Sequence, residues 1–413
     1  MEYVVFKEGV EVRPFDNNSN SNSYLLSYKG RHWRVSSFVV YVYEILVEAK
    51  NIENAYKMII DKSDISVSYD KFYKVIDFFK KNGLFVGTAD VGKINNSNRS
   101  LWGKFTVIPA KIVNKFKWLR VFFDKRIMSC IGILESVCFF YFFATYDSKS
   151  VISDLWRLNV GELCICILII ILFGLVHEFG HSVALMSYGQ TAGAIGIGVY
   201  MYMPVFYSNV TNAWKLKRLQ RMCVDIGGIY FQAFALCSVY LCVVLIDKDC
   251  YIKCAILISA LQIIGNFNPF IKMDGYWIIS DFLGVSNSYN IILEGIKNLF
   301  TKKKKKLEFD DMKKTTKFAF LIYSILIVGY FVYLIRLLAM LFVEALRQII
   351  EDISNISYLT ETYSGFGDVL TFLQTRISSC LVLVFVVRMI IILVRKILVF
   401  GSDNENNIGI RKG

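Results

Sequence analysis

Two histidines four residues apart, with a glutamate directly after the first, are the residues best placed to do chemistry: His177, Glu178 and His181 in GLVHEFGHSVA. On a helix this spacing stacks both imidazoles on one face, where they can take two positions of a tetrahedral zinc. Glu178, beside that face, can accept a proton from a metal-bound water and later deliver it to a leaving amine. The surrounding run is apolar enough to cross a bilayer, where histidine and glutamate are costly and seldom lack a role. Only three histidines occur in the chain, and the third, His32, belongs to a polar N-terminal region. The third ligand is therefore expected to be a carboxylate or a thiolate.

Two apolar runs further on, the chain reads GNFNPFIKMDGYW. Alternation of spans directs the run carrying the histidines from outside to inside, so they lie in its cytoplasmic half. Asp274 falls at the cytoplasmic end of the later run, at matching depth. It is the expected third ligand and leaves one position open, as a catalytic site requires. An ordinary Asp-Gly turn is the plain alternative, with Asp281 and Cys223 as weaker competitors for the metal. Asn266, Asn268 and Pro269 unwind the end of that helix, and irregular backbone at membrane depth belongs beside a cavity. The amides of Asn266 and Asn268 are candidates to orient a peptide or support an oxyanion, and a purely structural helix-breaking role is the alternative. No chemistry is assigned to Glu135, Glu162, Asp225 or Arg388. Gly193 to Tyr207, rich in glycine, β-branched and aromatic residues, reads as an edge strand or re-entrant hairpin.

The elements that must position these residues follow from composition. The 413 residues are 55% hydrophobic with a mean hydropathy of +0.46, too apolar for an ordinary soluble protein. The expected fold is mainly α, a polytopic membrane helix bundle with spans near 128–146, 160–186, 222–246, 252–271, 318–343 and 379–400. The net charge of +13 sits mostly beside span ends, as at Lys111 to Arg126, Lys215 to Arg221 and Lys302 to Lys317. This placement marks topology and argues against nucleic acid as a partner; it predicts a multi-pass protein of the bacterial plasma membrane with both termini cytoplasmic. No signal peptide is evident. Most cysteines fall in or beside apolar runs, as small fillers.

Residues 1–87 read as a soluble α+β head of winged-helix type. Its expected strands are Tyr3 to Phe6, Val10 to Pro14, Tyr24 to Tyr28 and His32 to Ser36, and its amphipathic helices lie near 37–49, 52–62 and 69–82. Residues 88–126 read as a linker and basic juxtamembrane segment, 127–400 as the membrane domain, and 401–413 as a cytoplasmic tail.

The pairing of HEFGH with NFNPFIKMDG resembles the site-2 protease family of intramembrane zinc metalloproteases, whose second motif spaces Asn, Pro and Asp-Gly as Asn266, Pro269, Asp274 and Gly275 do. That resemblance implies zinc held by His177, His181 and Asp274, with Glu178 as the catalytic base. The longer string NPFIKMDGYWIISDFLG, with TNAWKLKRLQR, is similar to the branch of peptide zinc metalloproteases found with bacteriocin and modified-peptide export genes. Where the family has Ala-Gly-Pro in its third core helix, this chain has Gly227-Gly228-Ile229, and Asn209 and Asn212 stand where acidic residues are frequent. The head, through YLLSYKGRHWRVSSFVVYVYEIL and KKNGLF, resembles the PqqD-like domain that captures leader peptides by strand addition.

The expected function is thus hydrolysis of a peptide bond in a small precursor or leader peptide. The bilayer and a peptide-modifying enzyme or exporter of the same pathway are the expected partners. Release of a membrane-tethered regulator, or a non-catalytic peptide-binding export or immunity protein, are the competing readings.

Overall fold

A computed structural model describes residues 3–16, 22–62, 68–88, 101–145, 158–200, 203–246, 250–285, 287–300 and 308–354, with positions 384, 387, 388, 411 and 412. At the N-terminus, β1 (Glu11–Pro14), β2 (Ser23–Tyr28) and β3 (Arg31–Ser36) form an antiparallel sheet in that order. Tyr28 pairs with Arg31 across Lys29 and Gly30, both at positive φ, the backbone that a two-residue hairpin turn requires. Helices α1 (Ser37–Ala49), α2 (Ile52–Lys62) and α3 (Tyr69–Lys81) follow, in the expected positions. Asn51 starts α2 by accepting the Glu53 and Asn54 amide hydrogens at 2.9 and 3.2 Å. The head's core is drawn from its own residues, among them Leu26, Trp33, Val39, Ile59, Phe72 and Phe79. In place of the strand expected at Tyr3 to Phe6, only isolated bridges form, Tyr3 to Asn51 and Phe6 to Phe85.

Much of the stretch expected as a linker is built into the body. There, β4 (Leu101–Ile108), α4 (Ala110–Val113) and a 3-10 helix (Asn114–Phe123) precede α5 (Lys125–Thr145) and α6 (Val160–Ser187). Glu162 helps close the N-terminus of α6 in a capping box with Asn159, which accounts for one of the acidic residues given no chemistry. The Gly193 to Tyr207 segment is a hairpin of β5 (Ile195–Tyr200) and β6 (Met203–Ser208), and β4 joins it in the order β4-β5-β6. Asn114 fastens the two segments, donating to the Ala192 carbonyl and accepting from its N–H at 2.7 and 3.1 Å.

A second 3-10 helix (Thr211–Lys215) leads into α7 (Arg218–Ile246), followed by α8 (Cys250–Asn266), α9 (Asp274–Leu283), α10 (Ser288–Phe300) and α11 (Lys314–Ser354). A short strand, β7 (Arg411–Lys412), pairs with the outer edge of β3. Among the described residues, four helices are long and apolar enough to cross a membrane: α5, α6, α7 and α11. The run expected as a fourth span ends earlier, at Asn266, and its apolar helix covers only Tyr251–Asn266. The run at 379–400 lies outside the described residues apart from isolated positions. Two compact units divide the chain, residues 1–317 with 408–413, and residues 318–407. The metal-ligating candidates all belong to the first.

Within that unit, Cys138, Cys166 and Cys237 are buried free thiols in one apolar cluster spanning α5 to α8, the filler role expected of them, and Cys254 is a buried free thiol in the same cluster. Helices α6 and α7 approach so closely that a Cβ on Gly180 would strike the Gly227 carbonyl, and one on Gly227 would meet Ala184 at 2.7 Å. Small residues on both helices let the backbones touch.

Candidate metal centre

Both histidines lie on the α6 face turned toward this crossing, and each is 7% exposed. Their orientation is fixed from α7. His181 Nδ1 lies 2.8 Å from the Val224 main-chain carbonyl, which can only accept, so this nitrogen carries the proton. His177 Nδ1 donates to Gln232 Oε1 at 3.0 Å. With both protons on Nδ1, the two Nε2 atoms present lone pairs, and they face each other 3.1 Å apart.

The Asp274 carboxylate completes the cluster. Its Oδ2 is 3.0 Å from His177 Nε2 and its Oδ1 is 3.5 Å from His181 Nε2. Oδ2 is buried and, among the described residues, has no hydrogen-bond donor. Three potential electron-pair donors thus converge, an arrangement that repels itself unless a cation, a proton or a metal ion, sits among them. Ligands bound tetrahedrally at about 2.0–2.1 Å stand roughly 3.3 Å from one another, close to the separations here. Two imidazoles and a carboxylate match a zinc donor set with one position left open.

Gly228 supplies the room. A Cβ there would collide with His181 Nε2 and reach within 2.8 Å of His177 Nε2, the space a bound ion needs. This position was visible in the sequence as part of a departure from the family pattern, but its role comes from the α6–α7 crossing. Gln232 was not singled out at all. Its signal was a polar amide in the middle of an apolar run, 2% exposed in the folded chain.

The chain is similar to the Bacillus subtilis (strain 168) protein named "Putative peptide zinc metalloprotease protein YydH". The two are 21% identical over 222 residues, which cover 52% of this chain and 82% of that protein. No family model and no solved structure matches the chain.

The remaining candidates separate clearly. Glu178 follows His177 directly and is half-buried. Asp274 is the first residue of α9, so the helix dipole favours its negative charge. Gly275 behind it allows a close turn, since a Cβ there would strike the Phe267 carbonyl. Asn266 is the last residue of α8 and half-buried. The Asn268 side-chain oxygen accepts the Phe270 amide hydrogen at 2.9 Å, which shapes the turn between α8 and α9. Asp281, the competing carboxylate, is engaged by Arg221, with Nη2 to Oδ1 at 2.7 Å. Burial raises the Asp281 pKa, and the Arg221 guanidinium opposes that rise. Among the described residues, the grouping with metal-ligating geometry is His177, His181 and Asp274, and Cys223 is not part of it. His32 is buried in the head, its Nδ1 2.8 Å from Ser27 Oγ.

Proposed function

We propose that the protein is an intramembrane zinc metalloprotease of the site-2 type, hydrolysing a peptide bond in a small precursor or leader peptide at the cytoplasmic side of a bacterial plasma membrane. The observation that carries this reading is the convergence of His177 Nε2, His181 Nε2 and the Asp274 carboxylate on one buried point. The name of the Bacillus relative supports the same chemistry, and four membrane-length helices support the setting.

Zinc held by His177, His181 and Asp274 would polarise the scissile carbonyl and acidify a water. Gln232 and the Val224 carbonyl hold both imidazoles in the tautomer that keeps Nε2 unprotonated. Glu178 takes the proton from the attacking water on a carboxylate oxygen and returns it to the leaving amine. The Asn266 amide orients the peptide backbone where α8 ends, and Asn268 keeps the adjoining turn in shape. An extended substrate adds along β6, the outer strand of the β4-β5-β6 sheet.

The head acts as a PqqD-like module of winged-helix type. Its leader peptide adds at β3, the edge that β7 now pairs with, and a modifying enzyme or exporter of the same pathway handles the peptide before or after cleavage.

Glu178→Gln in the full chain tests the reading. Zinc content should stay at the wild-type level while processing of a co-expressed precursor peptide stops. Undiminished processing would overturn it in favour of a peptide carrier.

A further inference from the structure

Arg221, in the first turn of α7, is 6% exposed, and its guanidinium joins three segments. Its Nε and Nη2 donate to Asp281 Oδ1 at 2.9 and 2.7 Å. Nη1 donates to the Leu216 carbonyl at 3.0 Å and Nη2 to the Asp16 carbonyl at 3.3 Å. The head contributes more than that carbonyl. The Phe15 ring lies 4.7 Å from the guanidinium carbon and stacks on Trp214, with ring centroids 5.7 Å apart. The Asp16 carboxylate accepts the N–H of Arg218, the first residue of α7, at 3.0 Å. Arg218 Nη1 in turn donates to the Phe282 carbonyl at 3.1 Å.

Helix α9 is therefore held at its C-terminal end. It has ten residues, with Asp274 at its start and Asp281 and Phe282 near its close. Asp274 and Asp281 are seven residues apart, close to two turns at about 3.6 residues each, so both carboxylates lie on the face turned to α7. A buried guanidinium is stable only while its donors are satisfied, and its grip on a carboxylate weakens once water reaches the pair. Phe15 and Asp16 both satisfy Arg221 and cover it.

We infer that the head is a clamp on the third metal ligand: Phe15 and Asp16, docked on Arg218 and Arg221, set the position of α9 and hence of Asp274. Arg221 is a positioning residue that acts through Asp281. Whatever draws the β1 end of the head away, such as a peptide engaging the sheet, loosens Asp274 at the site. As far as zinc is concerned, this inference rests on the function proposed above, whereas the link from head to α9 stands on these contacts alone.

The test uses the full chain in lipid nanodiscs, comparing wild type with Arg221→Gln and with the double variant Phe15→Ala, Asp16→Gly. Zinc affinity is read by chelator competition, and hydrogen exchange is followed across residues 274–283. Arg221→Gln should weaken zinc by about 10–100-fold and the double variant by about 3–10-fold, each with faster exchange in α9. Wild-type zinc affinity and wild-type α9 exchange in the double variant would overturn the clamp. If wild-type protein binds no zinc, the proposed function fails, and exchange in α9 alone decides the clamp. Should Arg221→Gln not fold, the double variant, altered only in the head, carries the test.

Discussion

Phe72, Phe79 and Phe85 fill the centre of the head, each no more than 2% exposed, whereas the α6–α7 crossing is lined by Gly180, Ala184, Gly227 and Gly228. In the head, large apolar side chains occupy nearly all the space between sheet and helices, and burial serves stability. At the crossing the side chains are small, the backbones touch, and the space gained admits two imidazoles and a carboxylate. The crossing thus gathers its buried polar groups at one point, whereas the centre of the head is filled by aromatic and aliphatic side chains. The comparison gives a rule for substitutions: the head should suffer from lost volume and the crossing from added volume.

The largest effect is expected from Gly228→Ala. Its methyl group takes the space between the two Nε2 atoms, so zinc measured by elemental analysis of purified protein should fall to background. That loss exceeds the roughly 10–100-fold expected from removing an outer partner. A full complement of zinc in this variant would break the comparison. In the head the opposite change matters: Phe79→Ala should lower unfolding free energy by about 3–5 kcal/mol in denaturant titration. A cost below about 1 kcal/mol would mean that this core is not closely packed.

Gln232→Leu keeps the volume at the crossing nearly constant but removes the acceptor for His177 Nδ1. Zinc should bind about 10–100-fold more weakly by chelator competition. Unchanged affinity would show that the Val224 carbonyl and His181 suffice to order the pair.

The smallest effect concerns the head's one histidine. Burial, and then the nearby Lys215 ammonium, lower the His32 pKa from 6.5 to about 4. The unfolded chain therefore binds more protons between these values, so this contribution to stability is complete above pH 6.5 and is lost as pH falls toward 4. At pH 6 the loss should be about 1 kcal/mol. His32→Gln should flatten this part of the pH dependence of thermal unfolding, and an unchanged slope would assign it to other groups.

Legibility differed by region in a way that follows from periodicity. Helices α1 to α3 and the long apolar helices were readable because each carries its own repeat of buried positions or its own unbroken apolar run. The strand β4 was not, since Leu101–Ile108 follows a polar stretch and gains its partner only from β5, almost a hundred residues later. The end of α8 was placed too late because apolar residues continue past Asn266 through Phe267 and Phe270, while the chain turns at Asn268. Arg221 and Asp281 gave no sign of belonging together; one was read as part of a topology signal and the other as a spare carboxylate. Gln232 was passed over because a single amide in an apolar run has no pattern of its own.

By itself, the sequence determined that His177 and His181 share a helix face with Glu178 beside them, because a four-residue spacing is a local property of the backbone. It also determined which runs are apolar enough to cross a bilayer, and it narrowed the third ligand to Asp274, Asp281 or Cys223. Only the tertiary structure decided that Asp274 reaches the imidazoles while Asp281 is held by Arg221, and which nitrogen of each ring is left with a lone pair. Those outcomes depend on partners 43 and 55 residues from the histidines and on glycines that let two helices touch. Which distant segments meet is set by packing, and no local periodicity encodes it.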